Sequence, residues 1–279
     1  MVEKQSDGSD KSMSAERKRM IKKRALAGKE NLECGEKFGS VSEAALGKVV
    51  CVTGPMASGK NYICAILESV SGQTLPAASS VAARASVSAA RNVLSESRPS
   101  LPFVSIDADK VVHEVLKSES VKAKILATFG KAADEKGINL LNEDGSLNRR
   151  NLGELIFADK RLLSCQEAIV HPEVGKSIER FIGAHKNENV LINATVLYKT
   201  EAMKLCDAVL YVTAPIATRF LRAKKRDGLK SAQIIARFWS QRKLFAKYKK
   251  ATADIYKVNN TGNKKKLEIQ LKRFLKSCR

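Results

Sequence analysis

Seven residues of this chain concentrate chemistry that few short segments can supply: Gly54-Pro-Met-Ala-Ser-Gly-Lys60, directly after the apolar run Val49-Val-Cys-Val-Thr53. The spacing G-x-x-x-x-G-K marks a phosphate-binding loop where a buried strand ends. Gly54 and Gly59 admit backbone conformations that crowd other side chains, consecutive N–H groups converge on phosphate oxygens, and the Lys60 ammonium reaches the terminal phosphates. The next position departs from the usual pattern, because Asn61 stands where Ser or Thr would offer magnesium a hydroxyl. An amide oxygen ligates magnesium more weakly, and Asn61 is the candidate metal ligand on that ground. The plainer reading, a glycine turn ahead of a helix, is disfavoured by the strand before it.

Two further clusters have side chains suited to phosphoryl transfer. Asp107 and Asp109 leave a second apolar strand, Phe103-Val-Ser-Ile106, and a carboxylate there can serve as general base to an attacking hydroxyl. The same pair reads equally well as a helix N-cap with a second acid favoured by the helix dipole. Arg222 and Arg226 fall at i, i+4 within the run 219–228, so both guanidinium groups share one helical face. From a mobile lid they would stabilise charge on a moving phosphoryl group, whereas a solvated basic face is the commoner meaning of such a run. Arg237 and Gln241 share a face in the same way. Trp239, the only tryptophan, is expected to pack inward or against the lid.

The elements that must position these residues follow from the apolar pattern. Strands are expected at 48–53, 103–106, 190–192, 208–212 and 255–258, alternating with helices at about 60–70, 110–116 and across most of 121–182. The last region is broken at Asn142-Glu-Asp-Gly145 and at His171-Pro172. Unbroken apolar strands alternating with helices imply an α/β fold with a parallel sheet covered on both faces, its active residues at the C-terminal strand ends. Residues 71–102 are Ser/Ala/Val-rich with Pro76 and Pro99, and read as a low-complexity surface insertion with one Ala-rich helix near Val81 to Leu94. Residues 1–45 read as a disordered basic extension ahead of a domain spanning 46–279.

Composition sets outer bounds. The 279 residues contain 44% hydrophobic side chains, enough for a sizeable core, and carry a formal net charge of +21. Such a balance points to anionic partners without choosing among nucleic acid, acidic lipid and small polyphosphates. Nucleic-acid binding through the basic ends is compatible with the charge but not favoured. The six cysteines are scattered, with neither C-x-x-C pairs nor histidines at metal spacing, and read as reduced thiols of a cytoplasmic protein. No apolar run reaches the length of a membrane span.

In order and type these motifs resemble one family, the dephospho-coenzyme A kinases, over about Val49 to Phe274 with 71–102 as an interruption. The matching segments are Gly54 to Lys60, Ile106-Asp-Ala-Asp109, Phe129-Gly130, Glu143-Asp-Gly-Ser-Leu147, loosely Gly153 to Asp159, a helix ending at His171-Pro172, Arg222 to Gly228, and Asn259-Asn-Thr-Gly262. Two segments depart: Asn61, and Asn193-Ala-Thr-Val-Leu-Tyr198-Lys199 where the family has D-x-P-L-L-F-E. The resemblance implies a P-loop kinase fold with a helical acceptor subdomain over 121–182 and a basic lid over 219–245. It also implies an ATP- and magnesium-dependent transfer of phosphoryl to the ribose 3′-hydroxyl of dephospho-coenzyme A. In that reading Asp109 is the base and Lys60 and Arg226 are catalytic. Gly54, Ala57, Ser58, Gly59, Lys60, Asn61, Tyr62, Arg222, Asn260 and Gly262 hold the nucleotide, and Asp107 and His171 hold the acceptor. The rivals are another P-loop metabolite or nucleoside kinase, which should lack the later motifs, and a weakly active nucleotide-binding regulatory protein. Oligomeric state is not legible.

Overall fold

Among the described residues, five parallel strands form one sheet: β1 (Val49–Thr53), β2 (Phe103–Asp107), β3 (Asn189–Asn193), β4 (Ala208–Thr213) and β5 (Ile255–Asn259), in the order β2-β3-β1-β4-β5. The computed structural model describes residues 47–70, 81–94, 101–157, 159–251 and 254–278, within a folded unit that begins at Gly47. The basic extension expected over 1–45 lies outside the described residues.

The two faces of the sheet are set by alternation along β1. Val49 and Cys51 join a large apolar cluster on one face, while Val50 and Val52 join the cluster on the other. All four are at most 1% exposed, and fully burying an aliphatic side chain of this kind contributes about 1.5–3 kcal/mol. Strands buried on both faces need apolar residues at successive positions, which is why they read as unbroken runs.

On the second face lie α1 (Lys60–Val70), α2 (Val81–Leu94) and α10 (Lys264–Ser277). The surface reading of 71–102 is corrected for α2: Val87, Ala90 and Leu94 are buried in the core cluster with α1 and α10. Their i, i+3, i+7 spacing is an apolar stripe, and small residues around it obscure the signal. The first face carries α3 (Ala108–Val115), α4 (Glu119–Asp134), α5 (Arg149–Phe157) and α6 (Lys160–Ala184). A break at His171-Pro172 does not occur, because α6 runs straight through with Pro172 inside it. An interior proline costs about 3 kcal/mol, and the buried stripe Val170, Val174, Ile178 and Ile182 offsets that by packing on the core.

After β4 come α7 (Ile216–Asp227), α8 (Ser231–Ser240) and α9 (Leu244–Ala251). Gly228 ends α7 in the left-handed conformation, φ 61°, where a glycine carries no Cβ penalty. Among the described residues, no helix is long and apolar enough to cross a membrane. The described cysteines are free thiols.

Candidate active site

Strand order reverses around β1, so the crevice at the C-terminal ends of β1 and β3 is where an open parallel sheet presents a ligand site. The loop after β1 is built by close backbone approach. A Cβ on Gly54 would meet the Val212 carbonyl oxygen at 2.0 Å, and one on Gly59 would meet Asn260 Nδ2 at 2.3 Å. Both glycines have positive φ, 153° and 96°. Ala57 sits at φ 60°, a left-handed conformation that costs a side chain about 1–2 kcal/mol and persists only where surrounding structure enforces it. Among the described residues, the N–H groups of Ala57, Gly59, Lys60 and Asn61 donate to no other backbone group, the array an oxyanion would fill.

The walls of this loop come from distant segments. Asn260, 4% exposed, donates from Nδ2 to the Ser58 carbonyl at 2.9 Å and from its own N–H to Thr213 at 2.7 Å. Arg222 Nη1 donates to the Ser58 carbonyl and Nη2 to the Asn260 carbonyl, both at 3.4 Å. Gly59, Tyr62, Arg222, Asn260, Gly262 and Lys264 line a pocket of about 370 Å³ on this side. Two residues at this loop carry no role in the sequence reading. Arg219 Nε donates to the Met56 carbonyl at 2.9 Å with its guanidinium 4.1 Å from the Phe238 ring, and Gln241 Oε1 accepts from the Met56 N–H at 2.6 Å. Arg219 lies three residues before Arg222 on α7, so its alignment was visible; Gln241 follows the last turn of α8 and was read only as sharing a helical face with Arg237.

Lys60 Nζ donates to the Gly54 carbonyl at 3.2 Å. Burial lowers its pKa below the ordinary 10.5, with Asp109 opposing the shift and Arg226 adding to it. Lys60 therefore feels both Asp109 and Arg226 electrostatically. The acids divide their duties. Asp107 Oδ1 caps α3 by accepting from the N–H groups of Asp109 at 3.0 Å and Lys110 at 3.4 Å, while Asp109 stands in the first turn. Burial of its protein-facing side, then Asp107, push the Asp109 carboxyl above the usual 3.8; Lys60 and His113 pull it down.

On the other side of Tyr62 opens a cleft of about 880 Å³ between α1, β2, α3 and α6, lined among others by Asn61, Tyr62, Asp107, Lys110, Arg180 and Asn193. Lys110 and Arg180 were not identified from the sequence; both are single basic residues on exposed helix faces, and only tertiary placement turns them inward to one cleft. Glu68, half-buried in the same cleft, has its carboxyl raised by burial and partly offset by hydrogen bonds with Ser105. His171 does not line this cleft. Its charged neighbours are Glu167 and Lys199, and burial lowers its pKa. Trp239 does not pack inward: it is 63% exposed, with Arg242 over its ring at 5.0 Å. The inward stripe of α8 is Ile234 and Phe238, which leaves position 239 on the outer side. Arg237 is likewise exposed, whereas Gln241 turns to the loop.

The chemistry of the donor set decides what cation could sit here. Among the described residues there is no group of three or more His, Cys, Asp or Glu. Asp107 and Asp109 are the carboxylates beside the loop, and they fit an ion that arrives bound to phosphates. Asn61 behaves differently from expectation: its Oδ1 accepts a hydrogen bond from Asn193 Nδ2 at 2.9 Å.

Comparison with known proteins gives a consistent answer. The family model described as Dephospho-CoA kinase matches residues 86–265, a span that begins after the phosphate loop. A dephospho-CoA kinase of Treponema denticola is 35% identical over 173 residues, which are 61% of this chain and 76% of that relative. One of Treponema pallidum is 33% identical over 177 residues, 62% of this chain and 83% of the relative. A Thermus thermophilus protein of known crystal structure shares the fold, with a TM-score of 0.59 over 83% of this chain and 97% of its own, at 23% identity.

Proposed function

This chain belongs to the dephospho-CoA kinase family, and from that premise we propose that it transfers the γ-phosphoryl group of ATP to the ribose 3′-hydroxyl of dephospho-coenzyme A. The observation that carries the reading is the meeting of two clefts at one phosphate loop, with Tyr62 lining both. One cleft is walled by Arg222, Asn260 and Gly262 and takes the nucleotide. The larger takes the acceptor against α3 and α6.

Asp109 accepts the proton of the acceptor hydroxyl as that oxygen bonds to the γ-phosphorus and the bond to the β-phosphate oxygen breaks, giving ADP and coenzyme A. A carboxyl raised toward the working pH is a better base than an ordinary aspartate. Lys60 and the loop N–H groups hold the β- and γ-phosphates, and Arg222 and Arg226 bring positive charge from the α7 side. Magnesium, held by Asp107 on the nucleotide, would neutralise phosphate charge. Lys110 and Arg180 receive the acceptor's diphosphate, the helices of 121–182 its coenzyme A moiety, and 219–245 forms the lid, in a cytoplasmic enzyme.

The deciding experiment couples ADP release to a spectrophotometric readout with purified protein, ATP, magnesium and dephospho-coenzyme A. Acceptor-dependent turnover that yields coenzyme A is expected. ADP release indifferent to the acceptor, or faster with a nucleoside, would point to another metabolite kinase.

A further inference from the structure

Two of the positions where this chain departs from its family's motifs are bonded to each other. Asn61 opens α1 at the position where a phosphate loop ordinarily offers a cation its hydroxyl, and Asn193 ends β3, beside β1, where such folds place the carboxylate partner. Asn193 is 7% exposed and fixed by the sheet, in register with Val52 of β1 on one side and Asp107 of β2 on the other. The residues after it are pinned as well: Ala194 N–H donates to the Val52 carbonyl at 3.1 Å, and the Thr195 carbonyl accepts from Tyr248 Oη at 3.2 Å. Asn193 therefore cannot drift, and Asn61 is oriented by it.

The orientation has a chemical consequence. With Oδ1 of Asn61 turned to Asn193 Nδ2, the positive end of an N–H dipole lies on the one side-chain oxygen that could ligate a cation. That leaves Asn61 Nδ2 as the donor end of the amide, and donors suit phosphate oxygens rather than metal ions. Electrostatics favours the same arrangement. An aspartate at 193 would face Asp107 across adjacent strands in register, about 4.8 Å apart.

We propose that the Asn61–Asn193 pair converts the metal-ligand position of this phosphate loop into a phosphate-binding position: Asn193 orients the Asn61 amide so that its NH2 donates to the nucleotide's phosphate oxygens, and neither side chain ligates the divalent ion. Asn193 is then a positioning residue. The proposal rests on the ATP-binding half of the kinase reading and is independent of the acceptor, so it is tested without one.

The test uses the full chain and two titrations: ATP affinity by calorimetry with divalent ions chelated, and Mn2+ affinity of the ATP-saturated enzyme by electron paramagnetic resonance. Asn61→Ala should weaken metal-free ATP binding by threefold or more while changing Mn2+ affinity by less than threefold. The double change Asn61→Ser with Asn193→Asp restores the hydroxyl and carboxylate, and should tighten Mn2+ by threefold or more. A threefold or larger loss of Mn2+ affinity in Asn61→Ala overturns the proposal, because Asn61 is then a ligand. Unchanged metal-free ATP binding in that variant overturns it too, and so does a double variant whose Mn2+ affinity stays within threefold of wild type. If Asn61→Ala does not fold, the double variant decides alone. No ATP binding by the wild-type protein would sink the kinase reading itself.

Discussion

On the nucleotide side of the phosphate loop the walls are held by backbone contacts: Asn260 binds the Ser58 carbonyl, Arg222 bridges Ser58 and Asn260, and Arg219 and Gln241 grip both polar groups of Met56. On the acceptor side the walls are side chains of many separate elements, α1, β2, α3 and α6 among them, and the space between them is more than twice as large, about 880 Å³ against about 370 Å³. The difference follows from what each side must recognise. Phosphates are read by convergent N–H groups, whereas a wider cleft with a few polar and charged side chains suits a larger ligand.

The largest expected effect lies where the two sides meet. Lys60→Ala should lower kcat by about 10³-fold, since transferring charge loses its fixed cation in a water-poor site; single-turnover kinetics checks this, and near-normal turnover would remove the loop from the chemistry. Next, Asp109→Asn should reduce kcat by about 10²-fold or more with ATP affinity within threefold. The pH dependence sharpens the point. A base works only when ionised, so wild-type kcat falls as pH drops through a carboxyl value lying above the ordinary 3.8, and the variant should lose that acidic limb. Equal losses in kcat and ATP affinity would make Asp109 part of the nucleotide wall instead.

A smaller effect separates the sides directly. Arg180→Ala should raise the acceptor KM about tenfold, the size of one charge-assisted hydrogen bond, and leave the KM for ATP unchanged. A shift in both would mean that the clefts are mechanically coupled. Smallest of all, Trp239→Ala should change stability by no more than about 0.5 kcal/mol, because its ring is 63% exposed; thermal unfolding is the check, and a large drop in Tm would show that α8 is held in solution by a face other than Ile234 and Phe238.

The phosphate loop was legible because its demands are local. A strand, two glycines with positive φ and a lysine lie within a dozen residues, and the spacing alone specifies which groups converge. The five strands were legible for a related reason, since burial on both faces leaves an unbroken apolar run. Local patterns misled where a weak signal met a strong tertiary one. Small residues hid the buried stripe of α2, a proline marked a break that core packing on α6 overrides, and Trp239 was assigned inward by its size although the period of α8 places it outside.

The sequence by itself therefore determined the sheet, the phosphate loop and the candidate base, each of which depends on residues close together along the chain. Only the tertiary structure decided how distant groups meet: Asn260 and Arg222, named by the family resemblance, on the Ser58 carbonyl, Lys110 and Arg180 in one cleft, and the amide of Asn193 on Asn61 across 132 positions. Parallel strands with long crossovers bring such residues together at one sheet edge, and no local period records which side chain of one strand end will face which side chain of the next.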